Sequence, residues 1–207
     1  MRGKFISFEG GEGGGKSTQA ARLAGFLRTK GLEVIETREP GGTPQGEELR
    51  DLLVQGDPDR WAPLSELFMM TAARVEHVNR VIEPALAAGK WVICDRFLDS
   101  TMVYQGIAGG LGLDMVGALQ AQAVGDCVPD ITFLLDLREE AGLQRAETRG
   151  GAARFEKKDA DFHRKVRDGF LALAAEAPDR IMVVDAEDTF DAVWRQIEGE
   201  MKQRFKL

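Results

Sequence analysis

Eight consecutive residues near the amino terminus carry the densest chemistry in this sequence. Gly10, Gly11, Glu12, Gly13, Gly14, Gly15, Lys16 and Ser17 fit the spacing Gly-x-x-x-x-Gly-Lys-Ser/Thr. Glycines at this density let successive backbone N–H groups turn inward around a phosphate. A helix beginning at Lys16 adds the positive end of its dipole. In such a loop Lys16 reaches the β- and γ-phosphates of a nucleoside triphosphate and the Ser17 hydroxyl sits on Mg²⁺, with Thr18 completing the nucleotide-binding set. A merely flexible Gly-rich turn would need neither the lysine nor the flanking strand and helix patterns.

Two arginines extend this chemistry. The runs Thr37–Thr43 and Cys94–Phe97 each follow a strand-like segment, and they contribute Arg38 and Arg96. Two guanidinium groups beside a phosphate loop can grip an acceptor phosphate by paired hydrogen bonds. Transfer of a phosphoryl group also demands positive charge on the γ-phosphate oxygens. The loop holds no basic residue before Lys16, so a second cation must come from elsewhere. Arg149 and Arg154 are the candidates, with Arg145 in support.

These residues need a scaffold that gathers them at one edge. Short β-rich runs at 4–8, 33–37, 91–95, 131–137 and 181–185 alternate with helical patterns at 16–29, 46–55, 64–88, 113–124, 139–148 and 160–175. A last helix runs from Thr189, placed as its cap, to the end. The alternation predicts an α/β fold: a five-stranded parallel sheet with helices on both faces, in one domain spanning 1–207. Ligands in such sheets gather at the carboxyl ends of the strands. The segment 106–112 reads as a loop, and the polar, basic stretch at about 149–158 as mobile.

Composition narrows the classes further. A net charge of −7 argues against a general nucleic-acid binder. Cys94 and Cys127 form no metal-ligand spacing with His77 and His163, and they point to a reducing, cytoplasmic compartment. No apolar run approaches the roughly 20 residues that cross a bilayer. The lone asparagine, Asn79, sits in no guanine-reading motif, which disfavours a GTPase switch.

The segments FEGGEGGGKST (8–18), TREPGGT (37–43), LFMMTAAR (67–74), DRFLDSTMVYQG (95–106), PDITFLLDL (129–137) and LQRAETRGGAARFE (143–156) occur in that order. With these spacings the chain resembles the bacterial thymidylate kinases over nearly its whole length. The resemblance implies a P-loop kinase fold with a mobile lid, ATP as phosphoryl donor, Mg²⁺, dTMP as acceptor, and a homodimer. It implies that Phe68 stacks on thymine and Arg74 bonds the edge of the base, as a flat ring and a carbonyl edge require. Ser100 and Thr101 align with residues that help to read the base, although capping a helix is an equally ordinary role for them. Tyr104 aligns with the ring that crowds the sugar, and Gln105 with a neighbour of the same pocket. Glu12 matches an acidic loop residue pointing at the acceptor sugar. Asp95 matches the carboxylate that organises Mg²⁺, with Glu9 and Glu39 as further members of that cluster. Arg149 and Arg154 match the lid arginines, while Glu147 departs from the basic residue some relatives carry. The rival readings are a kinase of the same fold for another nucleoside monophosphate and a non-catalytic ATP-binding regulator.

Overall fold

The computed structural model describes residues 2–148 and 154–207. Among these, a single parallel sheet carries β1 (Phe5–Glu9), β2 (Val34–Arg38), β3 (Trp91–Asp95), β4 (Ile131–Asp136) and β5 (Ile181–Asp185) in the order β2-β3-β1-β4-β5. All four pairings are parallel. The chain therefore reverses its direction of travel across the sheet beside β1, which is where ligands of such sheets collect.

Alternation along β1 divides the core. Ile6 and Phe8 pack with Leu23 and Leu27 of α1 (Lys16–Thr29) and with Ile197 and Met201 of α9 (Phe190–Phe205). Phe5 turns the other way, its ring edge-on to Phe97 at 4.8 Å. Ser7 shares that second face, bonded to Thr132 at 2.7 Å. The period of two thus sends Glu9 to the same side as Phe5 and Ser7. That side is covered by Val78, Ile82, Ala85 and Leu86, which follow α3 (Pro63–His77), by the end of α6 (Leu113–Val124) and by α8 (Ala160–Glu176).

Several helix starts follow directly from sequence. Thr43 caps α2 (Pro44–Val54) by accepting from Gly46 N at 2.9 Å, with Pro44 in the first turn. Asp159 caps α8, and Thr189 caps α9 as expected. The helix expected over 64–88 is helical throughout but not uniform. It runs through a wider π-helical turn at Val78–Ile82 into α4 (Glu83–Ala87), with Glu83 N–H reaching back to Val78 O. Pro84 has no N–H to return, and the wider turn absorbs that loss.

The expected loop at 106–112 begins later than its glycines suggest. Before it, α5 (Leu98–Thr101) continues into a π-helical stretch over Met102–Ala108. No side chain caps α5, so the local sequence gives no start signal. Tertiary packing supplies the order instead: α8 lies so close that a Cβ on Gly169 would meet Ile107 at 3.0 Å. The helix α7 (Glu139–Thr148) falls where periodicity placed it.

Candidate active site

The carboxyl ends of β1, β2 and β3 lie level, because Asp95 is in register with Phe8 on one side and Arg38 on the other. The phosphate loop leaves β1 at this edge. Gly10 has φ 130 and Gly13 φ 69, and a Cβ at these positions would come within 2.5 Å of Leu135 O and 2.1 Å of Gly142 O. Backbone conformation and space both demand glycine there. Lys16 is buried, its Nζ donating to Gly11 O at 2.6 Å and Gly10 O at 3.3 Å. Burial and the neighbouring Arg96 charge lower its pKa to about 8. The Ser17 hydroxyl donates to the Asp95 carboxylate at the end of β3. Two adjacent oxygen donors at the mouth of a phosphate loop fit Mg²⁺, which is held by few protein groups together with substrate phosphates.

Arg96 follows Asp95 in a left-handed conformation, φ 70, rare for a non-glycine residue. The turn swings its side chain back over the loop. Nη1 donates to Gly10 O at 2.9 Å, and Nη2 donates to Glu12 Oε1 at 2.8 Å. The guanidinium lies 5.1 Å from the Tyr104 ring centre, and the Tyr104 hydroxyl donates to the same Glu12 oxygen at 2.9 Å. Burial opposes ionisation of Glu12, but Arg96, Lys16 and the Tyr104 bond outweigh it and hold its pKa at about 2.

Glu9 braces this turn from beneath. It accepts from Phe97 N at 2.7 Å and from Ser100 Oγ at 2.5 Å. Burial and the nearby Asp99 raise its pKa to about 8.

Arg38 and Arg50 line the cleft opposite. Burial, then the charge of Arg38, and more weakly that of Arg96, lower the pKa of Arg50. Converging guanidinium groups that repel one another form a ready anion site. Arg50 was not singled out from the sequence. Its signal is indirect: it lies three residues beyond Glu47, which binds both Arg38 and the Gly42 backbone.

The other end of the cleft is a buried polar network around Arg74. Its Nε donates to Glu39 at 2.6 Å, and Nη1 donates to Thr101 at 2.9 Å and to Gln120. Its Nη2 donates to Phe97 O at 3.0 Å. A guanidinium has five N–H groups. Four are used among the described residues, which leaves one on Nη2 at a side chain that lines the cleft. Thr101, Ser100, Tyr104 and Gln105 line it too. Ser100 and Thr101 lie within α5 and bond Glu9 and Arg74 rather than capping a helix. Gln120, missed from the sequence, fixes Arg74 and donates to Thr71 at 3.0 Å.

Three expectations need correction. Phe68 does not reach the cleft and is 55% exposed, whereas Met70 lines it. The reason is helical phase: Met70 is one turn from Arg74 and shares its face, while Phe68, six residues away, points about 120° round the axis. Arg154 is buried and turned away from the phosphate loop. It donates to Leu53 O at 2.8 Å, to Pro58 O at 3.0 Å and to Glu66. Glu66 also accepts from Gln105 at 2.7 Å, so Arg154 fastens the helical turn Arg154–Lys157, within the stretch expected to be mobile, onto α2 and α3. Glu39 and Glu9 belong to the Arg74 and Arg96 supports, not to a cluster with Asp95. Arg149 lies outside the described residues. Lys16, Ser17, Thr18, Arg38, Arg74, Asp95 and Arg96 share one cleft with Glu12 and Gly13 to Gly15, and the carbonyls of Gly10 and Gly11 lie behind it.

Comparison with known proteins bears on this arrangement. The family model described as thymidylate kinase matches residues 8–197. The thymidylate kinase of Caulobacter vibrioides is 52% identical over 206 residues, covering 100% of this chain and 99% of that protein. That of Magnetococcus marinus is 48% identical, covering 96% and 97% respectively. The crystal structure of thymidylate kinase from Ehrlichia chaffeensis superposes with a TM-score of 0.79 at 36% identity, covering 97% of this chain and 99% of that one.

Proposed function

The chain belongs to the thymidylate kinase family, and on that premise we propose that it transfers the γ-phosphate of ATP to dTMP, yielding dTDP and ADP. The observation that carries this reading is a single cleft with a phosphate loop on one wall and, on the other, converging arginines beside a buried donor. The donor wall suits a triphosphate. The acceptor wall suits a phosphate monoester joined to a base that presents a carbonyl.

In this reading Lys16 binds the β- and γ-phosphates, and Ser17 and Asp95 hold Mg²⁺, which neutralises phosphate charge when bound. Arg38, Arg50 and Arg96 hold the acceptor phosphate in line. Glu12, ionised through the physiological range, fixes Arg96 and faces the acceptor sugar beside Tyr104. Arg74 gives its remaining N–H to the base carbonyl, with Thr101 and Gln105 at the same edge and Met70 packed on the ring through its polarisable thioether. The acceptor is already an anion and needs no strong base, so positioning and charge supply the acceleration. With Arg154 engaged by Glu66, the lid cation is assigned to Arg149.

The resemblance also implies a homodimer. Exposed Leu64 and Phe68 on α3 and Met115 on α6 support an apolar contact there. Buried, unpaired Cys94 and Cys127 fit a reducing, cytoplasmic setting. No helix among the described residues is long and apolar enough to cross a membrane.

The test is ADP release with Mg·ATP and each of dTMP, AMP, UMP and dGMP. Turnover should be highest with dTMP. Preference for another monophosphate would replace the acceptor assignment, and ADP release with none would remove the kinase reading.

A further inference from the structure

We propose that His77 is a positioning residue for acceptor-base selectivity, acting on Arg74 through Glu39. The inference rests on the reading of Arg74 as the group that meets the base. His77 is fully buried at the end of α3, away from the phosphates, and neither the reaction nor the phosphate grip uses it.

Its partners define its role. Glu39 is nearly buried, and its two oxygens are divided: Oε2 accepts from Arg74 Nε at 2.6 Å, and Oε1 faces His77 Nδ1 at 2.9 Å. An ionised carboxylate only accepts, so Nδ1 carries the ring proton. In the neutral ring Nε2 is then an acceptor, and the Thr37 hydroxyl, 2.7 Å away, donates to it. The chain of bonds runs from Thr37 at the end of β2, through His77 and Glu39, to Arg74. Each link fixes the next. Glu39 sets the tautomer, and the Thr37 hydroxyl holds the ring through Nε2. The Nδ1 proton in turn orients the carboxylate, and the carboxylate contributes to the roll of the guanidinium.

The same ring also keys the acceptor-phosphate turn to α3. Gly42 has φ 81, and a Cβ there would lie 2.4 Å from His77 Nε2. His77 therefore holds in one register the segment that carries Arg38 and the helix that carries Arg74 and Met70. Loss of the Nδ1 donor would leave Glu39 Oε1 without that partner in a buried site and free the carboxylate to rotate. Arg74 would then turn its remaining N–H away from the cleft. A donor aimed at a carbonyl separates dTMP from dCMP, which offers an amino group at that position, and a misaimed one does not.

Asparagine can place its amide nitrogen near the position of Nδ1, whereas glutamine can place its own near Nε2. His77→Asn should keep KM for dTMP and the preference for dTMP over dCMP close to the parent. His77→Gln should raise KM for dTMP about tenfold, the scale expected when a buried polar group loses its partner. It should also narrow the dTMP-to-dCMP ratio of kcat/KM by about the same factor, with KM for ATP unchanged. Thr37→Val, nearly isosteric, should produce a smaller shift of the same kind, and it tests the relay if His77→Gln fails to fold.

Thermal unfolding measured beside the kinetics identifies a purely structural role. If both His77 variants lose stability while KM for dTMP and the dTMP-to-dCMP ratio stay at parent values, the proposal is overturned. An equal loss of selectivity in Asn and Gln also overturns it, because the Glu39 bond is then not the carrier. Arg74→Lys is the separate control: an unchanged dTMP-to-dCMP ratio there removes the base-reading role itself, whatever His77 does.

Discussion

The two walls of the cleft are built from different materials. On the donor side the peptide backbone does most of the work. Gly10 to Gly15 curve around the position of the phosphates, and a close-packed neighbour forbids a Cβ at Gly10 and Gly13. On the acceptor side the backbone recedes: side chains from α3, α5 and α6 converge through a buried polar network, and Arg38 of β2 and Glu47 of α2 pair at its exposed margin. A backbone cradle presents N–H dipoles to any triphosphate. A side-chain network has to be assembled from distant segments, and its individual atoms can tell one base from another. Generality of the donor and selectivity of the acceptor thus follow from how each wall is made.

Substitutions that should separate the walls test this contrast, beginning with the most damaging. Lys16→Ala removes the principal cation of the donor wall and should lower kcat by about 10³-fold while dTMP binding is kept, measured by ADP release and by calorimetric titration with dTMP. If dTMP affinity falls as far as turnover, the walls are not separable. Arg154→Ala sharpens the boundary between them. It should cost about 3 kcal/mol in denaturant unfolding, because Glu66 is left as an uncompensated, mostly buried charge. An unchanged unfolding midpoint would show that Arg154 is free to act elsewhere.

Met70→Ala should raise KM for dTMP about tenfold, whereas Phe68→Ala should leave it within about twofold. The reverse result would return the base-stacking role to Phe68 and break the helical-phase argument. The mildest effect is in pH. The Lys16 pKa is lowered to about 8 by burial and Arg96, so the residue is cationic below that value and neutral above it. The kcat/KM for ATP should hold from pH 6 to 7, fall about twofold by pH 8 and then about tenfold per unit. Lys16→Arg, which stays charged, should remove that decline whatever its own activity.

The contrast also explains what could be read from the sequence. The donor wall was legible because all its determinants lie within one short stretch: the glycine spacing, the lysine and the strand before it. The parallel sheet was legible from alternating patterns and the cap at Thr189 from its residue type, whereas α2 starts at Pro44 behind Thr43, two residues before the expected 46. The acceptor wall was legible in composition but not in phase. LFMMTAAR contains both an aromatic and a methionine, and only the angular position of Arg74 decides which one meets the cleft. Arg154 was read as a catalytic cation because its partners, Leu53 O, Pro58 O and Glu66, are about ninety to a hundred residues away in sequence. Glu39 looked like a metal carboxylate for the same reason. The stretch from Leu98 to Ala108 has no cap and takes its order from α8, a contact that no local pattern announces.

The backbone at Arg96 has a consequence for how such a protein responds to selection. A non-glycine residue in the left-handed region gives up about 1–2 kcal/mol relative to an ordinary conformation. Glycine would relieve that tension and remove the guanidinium together. The same change would strip the largely buried Glu12 carboxylate of its Arg96 partner, which costs more than the strain relieved. Screening for heat resistance alone should therefore keep arginine here, and the strained turn is retained by the ion pair it creates.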